Sequence, residues 1–364
     1  MRLYKKENIR INHWHCWLLL VVSLCLWSSC ASDVQNKLQP KPSAFGKINE
    51  INVIADKAMW EGAVGDTFRY YFTSAYPILP QPESYFSVRH FTAEDLIKDP
   101  IRKEFQTYII LGNLKDTDSG ASKLIARDLK VDALSPTASA GHTKVGKNKW
   151  ALDQIIFYMY ADKDDTLIKT ITKNFTAVAK RVKEMDRNAL ESTIFQQGDN
   201  NKLRREVQEK MGIDLRLPSD YFEALYKDST MWLRRETDVL SANIFIHKLK
   251  YTNKSQLSKN GIKAIRDRLG KYVSTDIDNT YMRTNDVDLP MLTQVVTIDN
   301  RYAVEAKGIW DIVNDYMGGP FISYLIHDKD TNELILLDGF IHAPSKKKRD
   351  YMQQMEYLLT SVKL

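Results

Sequence analysis

The sequence predicts an α+β protein of mostly antiparallel sheets covered by helices, and three stretches carry that prediction. "WALDQIIFYMYAD" (150–162) is an apolar run of strand length. Behind it, Leu167, Ile171, Phe175, Val178 and Val182 recur at three- and four-residue spacing, the period of a helix with one apolar face. Near the C-terminus, "FISYLIHDKDTNELILLDGFIHAP" sets two apolar runs around a polar turn, and "SKKKRDYMQQMEYLLTSV" follows as a helix. At 43% hydrophobic and 27% charged, the 364 residues have an ordinary globular composition. Their length suits two modest domains or one large one.

The first thirty residues stand apart from the rest. Arg2, Lys5, Lys6 and Arg10 face a single acid, Glu7, and an apolar run from Trp17 to Trp27 follows, broken only by Ser23. Crossing a bilayer takes about 20 apolar residues, whereas a secretory signal needs about 7–15 behind a positive start. Small Ser28 and Ser29 then precede Cys30, an ending that resembles the bacterial lipobox. The resemblance implies a signal peptide over 1–29, cleavage before Cys30, and a lipid on its sulfur that makes the membrane a partner. The bland alternative is an ordinary cleaved signal with an incidental cysteine. The other cysteines, Cys16 and Cys25, lie inside the signal, so residues 31–364 hold no disulfide and no cysteine metal site.

Charge excludes one class of partner. The whole chain has 52 Lys/Arg and 46 Asp/Glu, and removing the signal leaves 48 and 45, a mature net charge of only +3. Nucleic-acid binding calls for a clustered basic face, which so slight an excess does not indicate.

After Cys30, "ASDVQNKLQPKPSAFGK" (31–47) is polar, aperiodic and carries two prolines, which with Cys30 reads as a flexible stalk over 30–47. "INVIAD" (51–56) is the first strand, and Asp66 is placed to cap a helix over "TFRYYFTSAY". Pro77, Pro80 and Pro82 then forbid helix and favour an extended crossing. "YFSVRHF" and "FQTYIILGNL" read as strands, and a short helix and a Gly/Ser/Ala/Thr-rich loop lead to the strand at 150–162. The amphipathic helix over "DDTLIKTITKNFTAVAKRVKEM" has acids at its start and basic residues at its end, as the helix dipole prefers.

A second helix around "LRREVQEKM" leads through Gly212 to strands in "IDLRLPSDYFEALY", "TMWLRRE" and "SANIFIHKLKY", then to a helix in "LSKNGIKAIRDRLGKYV". "TQVVTID" and "YAVEAKGIW" read as strands, and "WDIVNDYM" as a short helix ended by Gly318, Gly319 and Pro320. The last helix has Ser345 as its expected N-cap and an apolar face of Tyr351, Met355, Leu358, Leu359 and Val362. "LPQPESYF" before one strand–helix pair is echoed by "LPSDYF" before another. The echo suggests two related α+β units, 48–198 and 199–364, each with helices on one face of its sheet.

"NEINVIADKAMWEGAVGD" (49–66), "PILPQPE" (77–83) and "LDGFIHAPSKKKRDYMQQMEYLLTSV" (337–362) resemble an uncharacterised Bacteroides-type envelope lipoprotein family, a domain of unknown function. The resemblance implies lipid anchoring in the cell envelope, the outer membrane favoured over the inner. It carries over no catalytic or binding residue.

Motifs for chemistry are absent from the sequence. His90, His142, His247, His327 and His342 include no pair at zinc-site spacing, and His247 reads as a core or edge histidine beside Phe245 and Leu249. "DKDTNE" (328–333) starts like a calcium loop, but Glu333 stands where glycine is needed and Gly339 where the last glutamate belongs, so a charged hairpin turn is the better reading. "DIDNTYMRTNDVD" (276–288) reads as an acidic solvated loop. Ser345 and Lys348 match a Ser-x-x-Lys spacing without its companion motifs, and no nucleophile elbow or phosphate-binding glycine loop occurs. No metal, cofactor or catalytic residue is indicated.

Two classes of function follow. A non-enzymatic binding or assembly module on a lipid tether is favoured; a glycan-acting hydrolase or glycan-binding protein is the alternative. Four tryptophans lie beyond the signal: Trp60, Trp150, Trp232 and Trp310. Strand aromatics are chiefly core, so exposed and grouped rings are the informative sign. Trp60 is the candidate ligand contact, because it sits between Lys57 and Glu61 and runs into Gly62 and Gly65.

Overall fold

Near-continuous apolar runs build the first of two sheets. β1 (Glu50–Ile54), β3 (Thr107–Asn113) and β5 (Ile155–Ala161) are buried along almost their whole length. β2 (Ser87–Phe91) and β4 (His142–Lys147) complete a sheet ordered β2-β1-β3-β5-β4. The structure, a computed structural model, describes residues 40–131 and 140–364. One face of this sheet packs on α1 (Lys57–Glu61), α2 (Ala63–Phe72) and α5 (Asp164–Ile194). The other is covered by α3 (Asp95–Lys98) and α4 (Gly120–Leu129) through Leu96, Leu124 and Ile125.

The second sheet is antiparallel throughout. It contains β6 (Phe222–Lys227), β7 (Thr230–Thr237), β8 (Leu240–Lys250), β9 (Tyr281–Asn285), β10 (Leu292–Ile298), β11 (Arg301–Val313), β12 (Gly318–Asp328) and β13 (Glu333–His342). Their order is β10-β11-β12-β13-β8-β7-β6, with β9 also paired to β11. α6 (Asn201–Met211) and α8 (Arg349–Thr360) cover one face, and α7 (Lys259–Gly270) the other. The chain is α+β, as the sequence predicts.

Several finer expectations change. In the first sheet β2, β1, β3 and β5 are mutually parallel, and only β4 runs antiparallel. Strands covered on both faces lose polar/apolar alternation, and that is the pattern a parallel sheet carries. Both sheets bear helices on two faces, not one. Their topologies differ, so the sequence echo reflects repeated turn and strand composition and not a repeated unit. The helix expected over "WDIVNDYM" is instead the end of β11, because Trp310 and Asp311 pair with both β9 and β12, and Ile312 and Val313 with β9. Asn314 then turns the chain in a left-handed conformation, φ 65°. Within the expected acidic loop, residues 281–285 are strand β9.

Helix starts also move. α2 begins after Gly62, and Asp66 lies in its first turn, 2.6 Å from Arg69. α8 begins at Arg349, four residues after the expected cap Ser345, which sits in a left-handed turn. Its first N–H groups are satisfied from far away: Glu83, in the proline-rich crossing, accepts from Lys348 N at 2.5 Å and Arg349 N at 3.2 Å. A carboxylate at that position also suits the helix dipole. Residues 42–45, expected in the stalk, are bonded to the folded body: Leu152 N donates to Pro42 O, Ala44 N to Leu152 O and Phe45 N to Glu104 O.

Among the described residues, one fully buried ion pair joins α7 to the second sheet. Arg266 of α7 and Asp338 of β13 are both 0% exposed, with Nε to Oδ1 at 2.9 Å. Ser323 donates to the same oxygen at 2.5 Å, Arg266 Nη1 donates to Thr284 at 3.2 Å, and the guanidinium lies 3.6 Å from the Phe321 ring centre. Removing one member of a buried pair costs about 3–5 kcal/mol, because the other charge is left alone, whereas replacing both with apolar residues is often neutral. Arg266→Met is therefore expected to lose about 3–5 kcal/mol in urea unfolding. Adding Asp338→Leu should recover most of it. An equal loss in the double variant would show that the pair is not the cause.

Candidate functional site

The four tryptophans take different places. Trp60 lies in α1, half-buried, stacked on His90 at 4.7 Å with Arg69 4.8 Å from its ring centre. Gly65 lies inside α2, not in a surface loop, and a Cβ there would stand 1.9 Å from the Trp60 carbonyl oxygen. The glycine allows close approach of the two helices. Trp150 and Trp232 are half-buried, and Trp310 is 3% exposed. Cys30 lies outside the described residues.

The histidines do not gather. His247 is buried, with Nδ1 2.8 Å from the Thr230 hydroxyl and Nε2 3.3 Å from Arg268. Burial, then the Arg268 charge, hold its pKa below the ordinary histidine value. That environment fits the core histidine expected. Among the described residues, no three His, Asp or Glu side chains group as a metal site. Residues 328–333 form the β12–β13 turn, where Asp328 accepts from Asp330 N at 3.2 Å and from the Thr331 hydroxyl at 2.8 Å.

Two concave regions stand out. The first is a cleft of about 410 Å³ at the end of the second sheet, where Trp310 and Asp311 of β11 meet Gly318 and Gly319 of β12. Gly319 has to be glycine, since a Cβ would stand 2.0 Å from the Ile341 carbonyl oxygen. Trp310 packs edge-on against Phe340 at 5.7 Å, and its buried Nε1–H has no acceptor. On one rim, Asn285 donates to Asp288 at 2.7 Å and to Asp311 at 3.0 Å, while Arg283 holds the other oxygen of Asp311 at 2.8 Å. Opposite, His342 Nδ1 donates to Gly318 O at 3.1 Å. The Tyr316 ring is fully exposed at the margin.

This cleft escaped the sequence reading because "WDIVNDYM" has helical spacing, which hides Trp310 and Asp311 as strand residues. The Gly318–Gly319 pair beside an aromatic was the available signal.

The second region is a groove of about 350 Å³ between α5 and α8. Its wall contains Asp186, only 4% exposed, whose carboxylate accepts the Asn49 backbone N–H at 2.8 Å. Burial pushes this carboxyl up to about 6, and the Asn49 bond offsets only part of the shift. Lys180, Lys183, Glu184 and Arg187 of α5 and Glu356 and Tyr357 of α8 line the same groove.

A carboxyl whose pKa is raised on folding stabilises the protein fully only below its unfolded value near 4, and that contribution is lost as pH rises through about 6. The shift corresponds to about 3 kcal/mol at neutral pH and above. Asp186→Asn keeps an acceptor for Asn49 and removes the charge. It should raise the melting temperature at pH 8 and leave it unchanged near pH 4. Equal shifts at both pH values would refute the assignment.

Residues 44–195 match a domain of unknown function, DUF8532, and residues 200–361 match another, DUF4837. No curated protein matches the chain significantly. Among solved structures, the Saccharomyces cerevisiae Ran-binding protein Mog1p aligns at 12% identity and a TM-score of 0.27, over 42% of this chain and 89% of that one. A point mutant of protein Mog1 aligns over the same shares at 12% identity, with a TM-score of 0.25. Likeness at this level carries no functional argument.

Proposed function

We propose that the chain is a lipid-anchored envelope protein whose folded body binds a partner or envelope glycan without transforming it. The observation that carries this reading is the order of basic residues, apolar run, small residues and Cys30 across residues 2–30. One acyl chain gives marginal membrane binding and two or more give stable attachment, so a multiply acylated Cys30 holds the body at the membrane. Both domain matches lie beyond the tether, the first beginning at residue 44. Among the described residues, no helix is long and apolar enough to cross a membrane.

Binding is favoured over hydrolysis by how the cleft's carboxylates are held. Asp311 accepts from Arg283 and Asn285, and Asp288 from the same Asn285 amide, an arrangement that fixes both as acceptors for a ligand's donors.

Cys30→Ala should move the protein from the membrane fraction to the soluble fraction, or leave it as the unprocessed precursor. Metabolic labelling with a fatty acid should mark the wild type and not the variant. Normal processing and undiminished membrane retention in the variant would refute the anchoring.

A further inference from the structure

We propose that the Trp310 cleft is a carbohydrate site that takes one sugar ring of an oligosaccharide, with Tyr316 as stacking platform and Asp288 and Asp311 as acceptors for its hydroxyls. The proposal deepens the binding reading given above and rests on it. Three observations converge on this place. Trp310, whose side chain is 97% buried, lines the cleft, and its Nε1–H has no acceptor. An unmatched buried donor costs about 1–3 kcal/mol, which a ligand oxygen accepting from it would recover. The most exposed large apolar side chain among the described residues, Tyr316, lines the same cleft. A single exposed ring is ordinary, but this one stands at a cleft that also holds an unmatched donor.

The third observation is the mixture of polar groups. Asp288 and Asp311 offer acceptor lone pairs beyond those used by Asn285 and Arg283. Trp310 supplies a neutral donor, and Lys348, whose Nζ spends one bond on Lys346 O, keeps two more donors. A sugar ring presents hydroxyls that both donate and accept, together with a C–H face that packs on an aromatic. It therefore matches acceptors and donors set around an exposed ring. Among the described residues, no three His, Asp or Glu side chains turn to one centre, as an all-protein cation cage would require. The volume of about 410 Å³ lies in the range of small-ligand sites and holds one ring with its substituents.

The test uses the full chain purified in detergent. Tetrasaccharides of β-1,4-linked N-acetylglucosamine, glucose and xylose and of α-linked mannose are titrated to millimolar concentration, with tetralysine as the control for a merely acidic cleft. Binding is read by calorimetry and by tryptophan fluorescence. At least one tetrasaccharide should bind saturably and tetralysine should not. Tyr316→Ala, which removes a fully exposed ring, should weaken binding tenfold or more at an unchanged melting temperature. Trp310→Phe keeps an aromatic ring, removes the donor and should also weaken binding; Asp288→Asn replaces it if Trp310→Phe proves unstable. Binding of none of the four sugars, binding of tetralysine alone, or undiminished affinity in Tyr316→Ala would overturn the proposal. Because anchoring at Cys30 is read by membrane retention, either failure is recognisable without the other.

Discussion

Much of the architecture depends on a small polar junction at Asn49. This residue is 1% exposed and left-handed, φ 62°, a conformation asparagine tolerates better than most residues. Its backbone N–H goes to Asp186 of α5 at 2.8 Å. Its side chain exchanges two hydrogen bonds with Gln353 of α8, at 2.6 and 3.1 Å. β1 starts at the next residue, so the first sheet, the longest helix and the C-terminal helix are fixed to one another at a single buried point. Every member is at least nine-tenths buried, and an unmatched partner there would cost about 1–3 kcal/mol.

Apolar packing extends that junction. α5 has 31 residues, about 46 Å at 1.5 Å per residue. Leu167, Ile171, Val178 and Val182 belong to the first sheet's core, while Ile194 belongs to the core of the second. Tyr76 and Leu79 enter the second core around the proline-rich crossing, shortly before Glu83 caps α8. A polar chain runs alongside. Tyr76 donates to Glu356 at 3.3 Å, Lys307 bridges Glu356 at 3.4 Å and Glu305 at 3.3 Å, and Tyr324 donates to Glu305 at 3.0 Å. Burial opposes the charge on Lys307, but the two carboxylates outweigh it and raise its pKa. Burial, then the same carboxylates, hold Tyr324 protonated far above the usual tyrosine range.

Legibility in the sequence followed how local each cause was. The helix after residue 163 was readable because it buries one face, which writes a period into neighbouring residues, and the C-terminal hairpin because two apolar runs flank a polar turn. The order and direction of the first sheet were not, since "YIILG" and "IIFYMYA" record cover on both faces and not which strand lies beside them. Asp186 lies just past the helix read from the sequence, and nothing local marks it as buried. Its burial is set by Asn49, 137 residues away, which is in turn tied to Gln353, 304 residues from it. Trp60 drew notice through adjacent glycines, yet Gly65 is explained by helix contact. The Trp310 cleft is assembled from β9, β11, β12 and the segment after β13, and no local pattern announces such a meeting.

The central claim is that the Asn49 junction makes the two sheets one cooperative body. Hydrogen exchange on the full chain, followed by mass spectrometry through increasing urea, measures this directly. The account predicts that β1, β3 and β5 lose protection at the same urea concentration as β11, β12 and β13, and that Gln353→Ala splits the loss into two steps. Two separate steps in the wild-type chain, or one unchanged step in the variant, would contradict it.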